Sequence, residues 1–426
     1  MSNWKKISDF ITFSIKGITP TYVENSSIIV LNQKCIRNGV IDYSLSQFAA
    51  DTKQISELKF VKKGDILINS TGVGTAGRCA FVDELPVNKK LLTDSHILLL
   101  RCNSYFEARC LSYLLFSFEK TLMSFMTGSS GQGELDKVMV LNLLTKLPEN
   151  SITQKKIAKV LSDLDAKIEI NNCINAELEA MAKTLYDYWF VQFDFPDANG
   201  KPYKTSGGKM IWNDELKREI PEGWEVGELT DIANITMGQS PPGESYNEEG
   251  NGMIFYQGCT DFGNRFPTIR KYTTSPTRFA KQGDILLSVR APVGTLNISK
   301  ENCCIGRGLA CMNSKNDAIT YLFGVMINLK QIFDRRNVSG TTFGSITKDD
   351  LFSLPVVIPN EKTVKAFQNL VFPAFEKQNK IELENIELAS LRDWLLPMLM
   401  NGQVSVGEFE EELRMVAEER VEYKKG

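Results

Sequence analysis

The chain has 426 residues, 42% hydrophobic and 24% charged, with a formal net charge of −3. Ordinary domains run to ~150 residues, so two or more cores are expected, and the composition excludes disordered, collagen-like and disulfide-stapled classes. The charge is uneven: residues 1–150 carry 17 basic against 14 acidic side chains, while 401–426 carry 4 against 7, in an acidic tail containing Glu408, Glu410, Glu411, Glu412, Glu418, Glu419 and Glu422.

Trp4 heads a region where short β-branched and aromatic runs bounded by Gly, Asn and Ser predict strands at 28–31, 65–69 and 97–101, followed by a helix at 106–118. A glycine-rich loop, Gly128-Ser129-Ser130-Gly131-Gln132-Gly133, and Leu147-Pro148 come next. Then Ile157, Leu161, Leu164, Ile168, Ile174, Leu178, Met181, Leu185 and Trp189 recur mostly at three- and four-residue steps, predicting a helix over 152–190. At 1.5 Å per residue it would span about 58 Å. Residues 193–223 read as a solvated connector that returns the chain.

From Trp224 the same order begins again, with strands predicted at 254–257 and 284–289 and a helix at 318–333. After Ile358-Pro359, Val364, Phe367, Val371, Ala374, Ile381, Leu388, Leu391 and Leu395 predict a second long helix. Pro373 predicts a kink or late start, and Pro397 and Gly402 mark its end. The two stripes suit a coiled coil, interrupted by Asn171, Asn172, Gln378 and Asn385, either as polar register-setting positions or through plain helix variability. The chain thus divides into 1–150, a first spacer helix 151–192, a connector 193–223, a second globular region 224–360, a second spacer helix 361–400 and a tail 401–426.

The two globular regions are copies. Phe60-Val61-Lys62-Lys63-Gly64-Asp65-Ile66-Leu67-Ile68 returns as Phe279-Ala280-Lys281-Gln282-Gly283-Asp284-Ile285-Leu286-Leu287, and Val73-Gly74-Thr75 as Val293-Gly294-Thr295. Asn32-Gln33 aligns with Tyr256-Gln257, and the glycine-rich loop with Gly340-Thr341-Thr342-Phe343-Gly344-Ser345. Two copies are too few for a solenoid, so a tandem of similar α+β domains related by an approximate two-fold is expected.

Composition removes most catalytic chemistry. His96 is the single histidine and reads as a satisfied strand residue, and the nine cysteines contain no CxxC pair, so neither zinc nor a disulfide is expected. No phosphate loop, nucleophile elbow or dinucleotide fingerprint occurs. Asp197 with Glu215-Leu216-Lys217 has the letters of a metal-dependent nuclease, but both lie in turn-like polar sequence. No stretch approaches the ~20 apolar residues of a membrane span and Met1–Lys6 leads into no signal run, so a cytoplasmic chain is expected.

The order of Trp start, Gly-Asp-Ile-Leu strand, glycine-rich loop, Leu-Pro and long helix, given twice, resembles the specificity (S) subunit of type I restriction-modification systems. The most telling pieces are Gly64-Asp65-Ile66-Leu67, Gly283-Asp284-Ile285-Leu286, Leu164-Asp165-Ala166-Lys167-Ile168-Glu169-Ile170-Asn171, Leu185-Tyr186-Asp187-Tyr188-Trp189-Phe190, Ile220-Pro221-Glu222-Gly223-Trp224 and Leu395-Leu396-Pro397. Coverage runs from Trp4 to about Gln403. The resemblance implies an α+β fold of two similar α/β target-recognition domains, separated by two long antiparallel helices in a coiled coil with a pseudo-two-fold internal repeat. It also implies a non-catalytic chain that reads a bipartite double-stranded DNA target. Two methylation subunits using S-adenosylmethionine would dock on it, with a restriction subunit using ATP and Mg; the chain itself would hold no cofactor.

A recogniser needs amide, hydroxyl and guanidinium groups on loops that reach base edges. Candidates in the first domain are Lys16, Thr19, Tyr22, Gln33, Lys34, Arg37, Thr71, Ser130 and Gln132. In the second they are Gln239, Tyr246, Gln257, Arg265, Arg290, Arg307, Thr341, Thr342 and Lys348. Two alternatives stand beside this reading. One is a coiled-coil scaffold that binds only protein; the other is a DNA-modifying enzyme, although Ser240-Pro241-Pro242-Gly243 lacks both the leading amide or acid and the aromatic of a methylation motif.

Overall fold

A strand that is apolar on both faces must lie between two layers, and the two Gly-Asp-Ile-Leu runs occupy such places. The structure, a computed structural model, describes residues 4–51, 55–72, 74–127, 133–338 and 345–407. It divides into two units: Met1–Lys167 with Glu387–Gly426, and Ile168–Ile386.

The first unit contains strands β1 (Ile11–Lys16), β2 (Tyr22–Val23), β3 (Ile28–Leu31), β4 (Gln47–Ala49), β5 (Ile66–Asn69), β6 (Cys79–Phe81), β7 (Lys90–Thr93) and β8 (Ile97–Cys102). An antiparallel sheet has the order β1-β8-β5-β6, and a mixed sheet the order β7-β3-β4-β2 with β7 and β3 parallel. Ile66, Ile68, Leu98 and Leu100 face the core that contains residues of helix α1 (Tyr105–Ser117), whereas Leu67, Ile97 and Leu99 enter a second core with Leu31 and Leu91. Gly64 takes φ +92°, a left-handed conformation that favours glycine, and the Asp65 carboxylate accepts the Lys62 N–H at 2.7 Å. The motif is therefore turn chemistry. Residues 151–167 of helix α2 (Ser151–Tyr186) supply Ile157, Ala158 and Leu161 to this unit's core.

The second unit repeats the plan with β9 (Ala233–Met237), β10 (Tyr246–Asn247), β11 (Met253–Tyr256), β12 (Tyr272–Thr273), β13 (Phe279–Ala280), β14 (Ile285–Ser288), β15 (Leu296–Ile298), β16 (Cys303–Ile305) and β17 (Leu309–Ser314). Its antiparallel sheet runs β9-β17-β14-β15 and its mixed sheet β10-β12-β11-β16-β13, with β11 and β16 parallel. Gly283 takes φ +88° and Asp284 accepts the Lys281 N–H at 2.8 Å. Helix α3 (Ile319–Val338) packs on the core formed by Ile285 and Leu287.

The last helix, α4 (Glu361–Asn401), begins ahead of Pro373 and runs unbroken through Pro373 and Pro397, which corrects the expected late start. Pro373 and Asn369, whose carbonyl loses its helical donor, are both exposed, so water can serve that carbonyl; Phe367, Val371 and Phe375 remain buried on the opposite face. Their packing outweighs the ~3 kcal/mol cost of an internal proline. Pro397 does not end the helix; Gly402, at φ +71°, does.

The connector also differs from expectation. Phe193 and Phe195 are buried with Trp224, and Met210–Asn213 pairs with Arg218–Pro221 in a hairpin, so aromatic burial folds this segment into the second unit. In that unit Asn171 donates to Asn385 Oδ1 at 2.9 Å, Asn385 donates to Asn172 Oδ1 at 2.9 Å, and Gln378 donates to the Asn175 carbonyl at 3.1 Å. In the first unit Arg392 meets Asp165 at 2.8 Å. The apolar stripes are incompletely covered: Ile174 and Met181 are exposed in the second unit and Leu391 in the first. No described helix is long and apolar enough to cross a membrane.

Candidate nucleic-acid interface

Four loops of the second unit converge at the ends of the strands they join. Gly238, after β9, donates to the Leu309 carbonyl at 2.9 Å; Gln239 donates to Ile305 at 3.0 Å; Gly306 donates to Tyr256 at 2.8 Å; and Val289, after β14, donates to Gly308 at 3.0 Å. A Cβ on Gly238 would lie 2.2 Å from the Gly306 carbonyl oxygen, and one on Gly308 2.6 Å from that of Gln257. Only glycine allows these backbones to approach so closely. On this frame Gln239, Gln257, Arg290 and Arg307 are exposed. Gln257 is held by its N–H to Asp261 Oδ2 at 2.8 Å, and Arg307 by its N–H to Ser240 Oγ at 3.4 Å. Such a set offers amides and guanidinium forks on rigid supports, the chemistry that reads adenine and guanine edges.

The remaining second-domain candidates sit differently. Tyr246 donates to the Pro241 carbonyl at 2.9 Å and stacks on Phe255, with ring centroids 4.8 Å apart. Arg265 is corrected as a base reader: Nε donates to Asn379 Oδ1 at 2.5 Å and its guanidinium lies 4.4 Å from the Phe375 ring centroid, against α4. Burial there lowers its pKa to about 10, despite the nearby carboxylates of Glu179, Glu382 and Glu376. Lys348 is exposed at the start of the short helix Lys348–Phe352, over the Phe352 ring. Thr341 and Thr342 lie outside the described residues, as do Ser130 and Gln132.

The first unit builds the same frame. Gly17 donates to Ile97 at 3.0 Å, Asp94 to Leu31 at 2.9 Å, and Ser70 to His96 at 2.8 Å; Leu135 donates to Ser70 at 2.7 Å as Ile346 does to Val289 at 2.9 Å. These matched bonds place Thr71 where Arg290 stands, His96 where Gly308 stands, and Asn32 where Gln257 stands. The alignment of Gln33 with Gln257 is therefore off by one. Likewise Gly77, which donates to Asn69, answers Gly294, which donates to Ser288, so Gly74 is not its counterpart.

Thr71 Oγ1 lies 2.8 Å from His96 Nδ1 and donates to Gln33 Oε1 at 2.9 Å. His96 is exposed in the turn before β8, not within the strand, because the Asp94 carboxylate captures its N–H at 2.9 Å. It is the residue that sequence reasoning set aside; the Asp-x-His turn ahead of the leucine run was the available signal. Burial raises the Asp94 pKa, opposed by the His96 hydrogen bond and charge. Lys16 pairs with Glu134 at 2.5 Å. Thr19, Lys34 and Arg37 are exposed, and Tyr22 is 45% exposed, its hydroxyl pKa raised by partial burial and by Asp94. Of the first-domain candidates, described contacts bring Gln33 and Thr71 together.

Asp197 and Glu215 are turn residues: Asp197 accepts the Asn199 and Lys201 N–H groups, and Glu215 follows the Asn213 turn cap. Among the described residues no group of three or more His, Cys, Asp or Glu side chains could hold a metal ion.

Comparison with known proteins matches residues 1–180 and 221–386 to the type I restriction modification DNA specificity domain. The chain is 34% identical over 387 residues to a Methanocaldococcus jannaschii protein provisionally described as the MjaX type I restriction enzyme specificity subunit, covering 87% of this chain and 86% of that one. It is 26% identical over 408 residues to the HindI specificity subunit of Haemophilus influenzae, covering 81% and 88%. A crystal structure of the type I restriction-modification S subunit from M. genitalium shares the fold, with a TM-score of 0.54 at 17% identity over 93% of this chain and 96% of that one.

Proposed function

We propose a mechanism from one premise: this chain belongs to the type I restriction modification DNA specificity family. It is a sequence-recognition subunit and performs no catalysis. Each globular domain reads one half of a bipartite double-stranded DNA target through the loops at its strand ends. The observation that carries this reading is the pair of matching loop frames, one presenting Gln239, Gln257, Arg290 and Arg307 and the other Gln33, Thr71 and His96. The two sets differ in donor and acceptor pattern, as two different half-sites require.

Helices α2 and α4 form an antiparallel coiled coil that sets the gap between half-sites, with an approximate two-fold relating the domains. The Asn171–Asn385 and Asn172–Asn385 bonds support this, since a buried amide pair fixes register. Two methylation subunits carrying S-adenosylmethionine dock on the assembly, and a restriction subunit supplies ATP- and Mg-dependent chemistry. The exposed apolar side chains of the helices, Ile170, Ile174 and Met181 on α2 and Trp394 on α4, suit such contacts.

Selection of bound duplexes from a random-sequence pool, using the full chain assembled with its methylation subunits, tests the reading. Two short motifs separated by a fixed unspecific gap are expected. Recovery of duplexes without any common motif would favour the protein-only scaffold.

A further inference from the structure

The chain His96 Nδ1···Thr71 Oγ1···Gln33 Oε1, with spacings of 2.8 and 2.9 Å, belongs to the first unit alone; at the matching places the second unit has Gly308 and Arg290. A threonine hydroxyl has one proton to give. When Thr71 gives it to Gln33 Oε1, Thr71 must accept from His96, so Nδ1 carries a proton and the Gln33 amide N–H groups remain for another partner. When Nδ1 is unprotonated the chain can reverse: Thr71 donates to His96, accepts from the Gln33 amide, and leaves Gln33 Oε1 for another partner. Protonation of His96 places a hydrogen on both ring nitrogens and removes the second arrangement.

We infer that His96 is a positioning residue which, through Thr71, sets whether Gln33 offers a donor or an acceptor to a base, making the reading of the first half-site depend on pH. This rests on the DNA-reading function proposed above. Gly72 completes the arrangement. It takes φ +95°, and a Cβ there would press on Thr75 Oγ1 at 2.3 Å and on the Gln33 amide at 3.3 Å, so glycine leaves the amide room to turn. Among the described residues, other ionisable groups nearby are Asp94, which holds the His96 N–H, Tyr22 and Cys35, which both feel the Asp94 charge, the Lys16–Glu134 pair, Lys34 and Arg78. A donor suits the keto oxygens of guanine or thymine, and an acceptor the amino groups of adenine or cytosine.

The test measures affinities of the full chain, assembled with its methylation subunits, for duplexes carrying each base at every position of both half-sites, from pH 6 to pH 8. Lowering the pH is expected to raise the keto-over-amino preference at one first-half position by about tenfold. The second half-site should not respond. Thr71→Val should abolish the response and Thr71→Ser restore it. Intact reading of both half-sites with no pH response, or a response that survives Thr71→Val, overturns the inference alone. An assembled complex that discriminates no base at any pH overturns the DNA-reading function and the inference with it.

Discussion

The Gly-Asp-Ile-Leu turn occurs once in each unit with the same backbone and a different electrostatic solution. Both aspartates accept a backbone N–H three residues earlier, and both are buried. Asp65 also receives the Arg101 guanidinium in a forked pair, Nε to Oδ1 and Nη2 to Oδ2, each at 2.7 Å, and Arg101 reaches on to the Phe60 carbonyl at 2.9 Å. Asp284 receives instead the neutral amide of Asn313, at 3.2 Å. Burial accordingly raises the Asp284 pKa, opposed by the Lys281 and Asn313 hydrogen bonds. The turn requires a short side-chain acceptor, while compensation of its charge varies between copies.

That contrast can be broken by mutation. Arg101→Ala leaves Asp65 buried and uncompensated and should destabilise the protein by about 3–5 kcal/mol, whereas Asn313→Ala should cost about 1 kcal/mol; urea unfolding compares them, and equal losses would remove the distinction. At the reading edge, Arg290→Ala should weaken binding by ~1–3 kcal/mol and relax one base position of one half-site. Unchanged affinity and an unchanged methylation motif would reject that role.

The smallest effect concerns pH. A carboxyl whose pKa is raised on folding contributes stability below its unfolded value, and that contribution is lost as pH rises from the ordinary aspartate range through the raised value. Asp284→Asn keeps the acceptor and removes the charge, so its unfolding curves should lose this decline and differ from wild type by less than ~1 kcal/mol in acid. An identical pH dependence in variant and wild type would contradict the assignment.

Much of the fold was legible because its signals are local. The expected strand at 97–101 is Ile97–Cys102, the expected helix at 106–118 is Tyr105–Ser117, and the two glycine turns stand where the repeat placed them. What escaped depends on contacts distant in sequence. Pro373 was misjudged because its helix is held by Phe367 and Phe375 in the second unit's core, and the 193–223 segment because Phe193 and Phe195 find Trp224. The site was less legible than the fold. Letter matching aligned Gln33 with Gln257, while backbone bonds align Asn32 with it, and Arg265 is absorbed by Asn379 of α4. His96 was hidden by the apolar strand that follows it, and its partners Thr71 and Gln33 lie far away in the chain.

The central claim is that two separately built frames read two separate half-sites. It is tested most directly by exchanging residues 1–145 for those of a relative with a different target and sequencing the methylated positions in a host carrying the system. The account predicts that one half of the bipartite motif changes while the other half and the gap stay as they were. A change in both halves from this single exchange would contradict it.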